Sequence, residues 1–596
     1  MTPKIYTSPF PSVPLVERSI FTHLFFSSSD DPNAVGGFPG SAPAFIDAPS
    51  GTTLSRAQLK QLALSVAYGL RNNAQTRAKR GDTVLIYSQN SLAWPVVLFG
   101  SIAGGLRCTL ANSAYNAREL AFQYTDSGAK LIFTSEEGIA TVKETFRELE
   151  VSDAEANKRI IVMGNDLQWA GGPAAQRHPA AVDLLRLEEL IGKGALKEEE
   201  KFDGKQAHET VYLCYSSGTT GKPKGVETTH RNVTSLVDIV KCGFPEVKYG
   251  VDKLLGLLPF YHIYGAVKLL QFPFASGIPV IIMTRFDPVQ FCANIERYKI
   301  TVSFIVPPVL VVLSRHPAVD QYDMSSLKIL FSGAAPLGAA LSKQVVTRLA
   351  SKSKGNTKIT MLQGYGLTET SPTTHLVPVP YGERKIGSIG ALLPNLEARL
   401  LVDGGGDGDV EATIGQPGEL WIRGPTVMKG YLNNPSATKD SITSDGWFKT
   451  GDIAIRDNDG FYFIVDRRKE LIKYKGFQVP PAELESVLLT HPDIADTAVI
   501  GVDSAKEATE LPRAYVVHAR PDTVKTEGER NAFAKEIQKW IQTKVARHKF
   551  LRGGVVVIDI IPKSAAGKIL RRDLRERAKE ELAGQDPADN HFKSKL

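Results

Sequence analysis

Tyr215-Ser216-Ser217-Gly218-Thr219-Thr220-Gly221-Lys222-Pro223-Lys224-Gly225 concentrates hydroxyls, glycines and two lysines where an apolar run, Val211-Tyr212-Leu213, comes to an end. This reads as a buried strand opening into a loop that holds a polyphosphate. Glycines let backbone N–H groups turn toward an anion with no Cβ in the way, serine and threonine hydroxyls add donors, and lysines bring positive charge. Ser216, Ser217, Gly218, Thr219, Thr220, Gly221, Lys222 and Lys224 are therefore the candidate nucleotide contacts. A P-loop requires Ser or Thr directly after Gly-Lys, and Pro223 stands there instead, so an ATPase of the Walker type is excluded.

Strand-like and helix-like segments alternate on both sides of this loop. Asp82 to Tyr87, Lys130 to Thr134 and Arg159 to Met163 have strand character, with a helical run from Ser91 to Ala103; Lys253 to Leu258, Val280 to Ile282, Val302 to Val306 and Lys328 to Phe331 form a second series. Such alternation predicts α/β architecture with mostly parallel, doubly wound sheets. The expected organisation is a large N-terminal domain over 1–465, with stacked lobes at about 1–200 and 201–390 and a β subdomain at about 391–465. A small α+β domain follows over 466–583, then a tail over 584–596. The Ala-, Gly- and charge-rich stretch from Gly164 to Asp203 reads as a surface excursion between the lobes.

The chain has 596 residues and a formal charge of +7, and residues 467–596 carry 25 Lys/Arg against 19 Asp/Glu. No dense basic module for nucleic acid appears, and a phosphate-rich small molecule accounts for the bias. Cys108, Cys214, Cys242 and Cys292 lack CxxC spacing and read as reduced thiols. No apolar stretch approaches the roughly eighteen residues of a membrane span, and the N-terminus lacks a secretory apolar region. The terminal Ser594-Lys595-Leu596, after the mobile-looking 584–590, matches the receptor-read address of the peroxisome, so an import receptor is an expected partner.

Further motifs follow in order. Leu258-Pro259-Phe260-Tyr261-His262-Ile263-Tyr264-Gly265 sets a histidine among aromatic rings, and Ser332-Gly333-Ala334-Ala335-Pro336 is a small-residue loop after a strand. Gln363-Gly364-Tyr365-Gly366-Leu367-Thr368-Glu369 places a ring and a carboxylate in one turn. Trp447 to Asp452 ends an aromatic strand on a carboxylate, and Pro562 to Lys568 puts a lysine after a glycine. The ordered set, from Tyr215 to Lys568, resembles the adenylate-forming superfamily, in particular the 4-coumarate-CoA-ligase-like and peroxisomal acyl-CoA ligases.

That resemblance implies an ATP-dependent acid:CoA ligase acting through an acyl-adenylate on a fatty or aryl acid, with ATP, Mg²⁺ and coenzyme A. It implies Tyr365, Gly333, Ala334, Gly364 and Gly366 around adenine, Thr368 at the α-phosphate, Glu369 on the metal, and Asp452 and Arg467 on the ribose. His262, Tyr264, Phe304, Gly333 and Gly364 would form the acyl pocket. Lys568 would bridge carboxylate and phosphate during adenylation; Lys473, Lys475 and Gly476 would serve coenzyme A after rotation about a hinge at Lys469. Two other readings share the motifs: a luciferase-like adenylating monooxygenase and a catalytically silent acyl-binding homologue.

Overall fold

Three of the five residues of the strand Thr83–Tyr87 are aliphatic, all five are buried, and the adjacent helix Ala93–Ala103 is buried on every side. These segments lie at the centre of an eight-stranded, mainly parallel sheet, where apolar groups are needed on both faces. A computed structural model describes residues 4–27, 31–216, 223–335, 337–351, 358–402, 410–475, 477–564 and 567–590. It has the α/β fold that the alternation of segments predicts. A nine-stranded sheet holds Leu254–Gly256, Val280–Ile282, Val302–Ile305, Ile329–Ser332 and Thr360–Gly366, and a five-stranded antiparallel sheet holds Glu397–Leu401, Gly418–Arg423, Phe448–Arg456 and Tyr462–Arg467.

The lobes interleave rather than dividing near residue 200. Thr210–Ser216 pairs in parallel with Arg107–Ala111 and so completes the first sheet, whereas Pro43–Asp47 pairs in parallel with Val280–Ile282 in the second. The first five residues of Thr210–Ser216 are all buried, as in any central strand, so nearness in sequence does not choose its partner. The stretch from Gly164 to Asp203 is also more than an excursion. Leu185–Arg186 adds an edge strand beside Ile160–Val162, and Leu187–Ile191 packs so tightly on the helix Arg56–Asn72 that a Cβ on Gly69 would lie 2.5 Å from the Leu190 carbonyl oxygen. That long helix opens on a capping box between Ser55 and Gln58.

One apolar core runs from Tyr6 to Tyr462 and a separate one from Ile472 to Ala578. The chain between them makes a tight turn, with the Glu470 and Leu471 N–H groups donating to the Arg467 carbonyl. In the small domain, Ile494–Ser504 and Thr509–His518 form a long antiparallel pair with Val555–Val557 parallel at its edge. Residues 584–590 are not a loose tail: the Asp586 carboxylate accepts from Ser504 Oγ at 2.7 Å and from the Lys506 N–H at 2.9 Å, holding the segment on the sheet. All four cysteines are free, with Cys242 exposed and the others buried. No helix among the described residues is long and apolar enough to cross a membrane.

Candidate active site

A cavity of about 590 Å³ opens where the large sheets, the antiparallel sheet and the small domain meet. Ser216 and Lys224 stand on it, opposite each other across the antiparallel pair Thr210–Ser216 and Lys224–Thr229. The loop they bracket contains Ser217, Gly218, Thr219, Thr220, Gly221 and Lys222, which lie outside the described residues. Lys224 Nζ sits 4.9 Å from the centre of the Tyr431 ring, and Tyr431 Oη donates to Glu369 Oε1 at 3.0 Å. Glu369 is buried, borders the cavity and shares a short turn with Thr368.

Tyr365, Gly364 and Gly366 leave the end of the strand Thr360–Gly366 on the same cavity. Gly366 is required by close approach, since a Cβ there would fall 1.5 Å from the Pro372 carbonyl oxygen. Tyr365 Oη donates to Asp452 Oδ2 at 2.5 Å, and Arg467 Nε lies 3.2 Å from Asp452 Oδ1. Asp452 is thus buried behind Tyr365 and Arg467, with both oxygens engaged and lone pairs remaining. Gly333 and Ala334 lie on the cavity, and Ala334 holds a left-handed φ of 68° that costs about 1–3 kcal/mol for a residue with a Cβ, a strain concentrated in the cavity wall.

His262 borders the cavity, and its Nδ1 accepts from the Tyr264 N–H at 3.2 Å. Burial, reinforced by the nearby Lys568 ammonium, lowers the imidazole to about 4. At neutral pH the ring is therefore uncharged, and with Nδ1 accepting, the proton resides on Nε2. Tyr264 also lines the cavity. Phe304 does not. It is fully buried behind the wall, its ring 6.0 Å from Tyr264, 5.5 Å from Phe244 and 5.3 Å from Phe331, because strand Val302–Ile305 directs it into the core. Phe331 takes the wall position.

Lys568 and Ser564 reach the cavity from the small domain. The turn between them is closed by Ser564 N–H donating to the Lys568 carbonyl at 2.8 Å. Gly567, at φ +79°, passes the large domain with so little room that an added Cβ would lie 3.1 Å from Pro308 Cγ. Burial and the Arg467 charge lower Lys568 to about 8, against the opposing pull of Glu470, Asp452 and Glu369. Lys469 borders the cavity in the turn between the two cores. Lys473 and Lys475 do not reach it: both are exposed in the hairpin Ile472–Tyr474 and Phe477–Val479, and Lys475 Nζ pairs with Glu507 Oε2 at 2.8 Å. Gly476 lies outside the described residues.

Two site residues escape sequence reasoning. Glu419 is buried on the cavity wall, accepting from the Gly451 N–H at 3.1 Å and facing Arg468 at 3.5 Å. Tyr431 orients Glu369. The available signal for Glu419 is a carboxylate inside the apolar strand Gly418–Arg423; Tyr431 carries none. Among the described residues no three His, Cys, Asp or Glu side chains gather as a metal site. A cation here would lean on Glu369 and on the oxygens of a bound phosphate, which fits the ligand habits of Mg²⁺.

Residues 33–432 match the family model described as AMP-binding enzyme, and 483–568 match the AMP-binding enzyme C-terminal domain. A 4-coumarate–CoA ligase 1 of Petroselinum crispum is 36% identical over 546 residues, covering 90% of this chain and 91% of that protein. A probable 4-coumarate–CoA ligase 1 of Dictyostelium discoideum is 36% identical over 513 residues, covering 86% and 88%. Among solved structures, ATP-bound MatB of Rhodopseudomonas palustris superposes with a TM-score of 0.76 at 24% identity, over 94% of this chain and 99% of that one. The o-succinylbenzoate CoA synthetase MenE of Bacillus subtilis, in complex with its acyl-adenylate intermediate, gives 0.70 at 26%, over 90% and 95%. The chain belongs to the AMP-binding enzyme family.

Proposed function

We infer that the protein is an AMP-forming acid:CoA ligase. The observation that carries this reading is the convergence of Lys568, uncharged His262, Glu369 and Lys224 on one cavity, with cations where a carboxylate and a phosphate would meet. In the first half-reaction a carboxylate oxygen of the acid attacks the α-phosphorus of ATP and pyrophosphate leaves, giving an acyl-adenylate. Negative charge develops on oxygens of both partners, and the Lys568 ammonium stabilises it there. His262 Nε2–H, Thr368 and Lys224 orient the acid and phosphates, and Asp452 with Arg467 takes the ribose. Glu369, with phosphate oxygens, would hold a Mg²⁺ ion, which would supply further charge neutralisation. In the second half-reaction the coenzyme A thiol gives up its proton and its sulfur attacks the acyl carbon, releasing AMP.

Lys568 faces the cavity while Lys473 and Lys475 face away, so one orientation serves adenylation and a rotation about Lys469 brings the hairpin, with Gly476, to the site for coenzyme A. The identities of the relatives support an acid:CoA ligase over the luciferase-like and silent readings. A screen of AMP release over aliphatic and aryl acids with coenzyme A tests it; acid-dependent AMP release coupled one to one to thioester is expected, and its absence for every acid overturns the reading.

Lys568 works as a cation, so raising pH removes it. The proton is lost near pH 8, and kcat/KM for adenylation is expected to fall above that value, since this ratio reports groups of the free enzyme. A pH profile of Lys568→Arg tests the assignment, because the guanidinium stays charged and the falling limb disappears. We also propose import into peroxisomes through Ser594-Lys595-Leu596, which lie outside the described residues. A fluorescent fusion ending in these residues should be punctate, and one lacking them diffuse; equal distributions would refute this.

A further inference from the structure

The short strand Gly430–Tyr431 lies antiparallel to Lys224–Thr229, with the Leu432 N–H donating to the Gly225 carbonyl at 2.8 Å and the Lys429 N–H to the Glu227 carbonyl at 3.0 Å. Two further backbone bonds fix its place. The Met428 N–H donates to the Glu369 carbonyl at 2.9 Å, and the Tyr431 N–H to Thr438 Oγ1 at 2.9 Å. Residues 428–432 therefore stitch the strand that begins at Lys224 to the turn that carries Glu369, and they set where the Tyr431 phenol stands. Its ring packs with Val226, Met428 and Phe448 and is buried. Burial, and then the neighbouring Glu369 carboxylate, hold the hydroxyl above its ordinary value, so it stays protonated and remains a donor.

This one side chain meets two opposite charges. Lys224 Nζ lies 4.9 Å from the ring centre, within range of the negative π face, while the hydroxyl donates to Glu369 Oε1 at 3.0 Å. Among the described residues no ion pair joins Lys224 to Glu369, although both border the cavity. Opposite charges that close, and partly out of water, attract strongly. Were they to pair, the ammonium would be lost to a phosphate and the carboxylate to a cation. A phenol can face both at once, because its ring face attracts a cation and its hydroxyl donates to an anion. A leucine would fill much of the same space and offer neither.

Building on the acid:CoA-ligase reading, we propose that Tyr431 is a positioning residue that keeps Lys224 and Glu369 from neutralising each other: its ring takes the ammonium and its hydroxyl the carboxylate, so both stay open to ATP phosphates and the cation those phosphates carry. Tyr431 acts through these two groups and needs no contact with the reacting atoms. Its two functions sit on different parts of the side chain, so different substitutions separate them: Tyr431→Phe keeps the ring and removes the hydroxyl, and Tyr431→Leu removes both.

The test is calorimetric binding of ATP to the full chain in EDTA, without metal, acid or coenzyme A. Tyr431→Leu should weaken binding about tenfold, the scale of one lost contact to a charged group, as Lys224 turns to Glu369; Tyr431→Phe should stay within about twofold of wild type. Adding Glu369→Gln frees Lys224 again. That substitution should therefore strengthen ATP binding about tenfold more in the Tyr431→Leu background than in wild type, a coupling that a merely structural loss does not produce. The hydroxyl is read separately: Tyr431→Phe should raise several-fold the Mg²⁺ concentration for half-maximal acid-dependent ATP–pyrophosphate exchange. Unchanged ATP affinity in Tyr431→Leu, an equal loss in Tyr431→Phe, or additive effects of the Tyr431 and Glu369 substitutions overturns the proposal and leaves the ligase reading intact. Should a melting curve show Tyr431→Leu unfolded, the Mg²⁺ requirement of Tyr431→Phe decides, and an unmoved requirement overturns the proposal. Failure of wild-type protein to bind ATP, or to catalyse exchange with any acid, would instead bring down the ligase reading, and this proposal with it.

Discussion

Lys568→Ala lowers acyl-adenylate formation by about 10²–10³-fold, the loss typical when one preorganised group facing developing charge is removed. Thioester formation from a supplied acyl-adenylate stays within a few-fold of wild type. The two half-reactions separate because Lys568 lines the cavity on the turn closed by Ser564, while Lys473 and Lys475 lie on another face of the same small domain. The Lys568 N–H donates to Ser564 Oγ at 3.2 Å, a contact that does not use the lysine side chain. Pyrophosphate release and thioester formation are measured in separate single-turnover assays. Unchanged pyrophosphate release, or equal loss in both assays, would remove Lys568 from the role assigned to it.

Arg571→Leu is expected to destabilise the small domain by about 3–5 kcal/mol, the cost of leaving buried charges without their partner. Arg571 is 9% exposed. Its Nη1 donates to Glu470 Oε2 at 2.7 Å, its Nη2 to both oxygens of Glu485 at 2.7 Å, and its Nε to the Val499 carbonyl at 3.1 Å. The paired carboxylates hold the guanidinium above its ordinary value, and burial raises Glu485. Removing the cation leaves two carboxylates facing one another in the interior. Calorimetry should show a transition of the small domain moving to lower temperature while the core from Tyr6 to Tyr462 melts as before. Because Glu470 lies one residue beyond Lys469, the proposed hinge, the variant should also lose coordination between the half-reactions. A melting profile identical to wild type would contradict this account.

What the sequence made legible was chemistry concentrated in short runs. Tyr365, Thr368 and Glu369 lie within five residues of one another and arrive together on the cavity. His262 and Tyr264 arrive there together because His262 caps the helix that begins at Ile263 and Tyr264 lies in its first turn. Contacts between distant segments were not legible. Tyr431 meets Glu369 across 62 positions, and Glu419 meets Gly451 across 32, the first between a strand and a turn and the second across paired strands, partners that only the folded chain selects. Phe304 illustrates the reverse: strand alternation and the facing rings of Phe244 and Phe331 turn it into the core, although its place in the sequence suggests the pocket. The placement of Thr210–Ser216 in the first sheet has the same origin, since a strand whose first five residues are all buried carries no mark of its neighbour.

The account rests on a carboxylic acid being activated by ATP before any thiol is engaged. The most direct measurement is exchange of labelled pyrophosphate into ATP by the full chain with Mg²⁺ and a panel of mono- and dicarboxylic acids, with coenzyme A left out. Exchange that requires the acid and proceeds without coenzyme A is the predicted result. Thioester formed on adding coenzyme A, with no acid-dependent exchange in its absence, would contradict it.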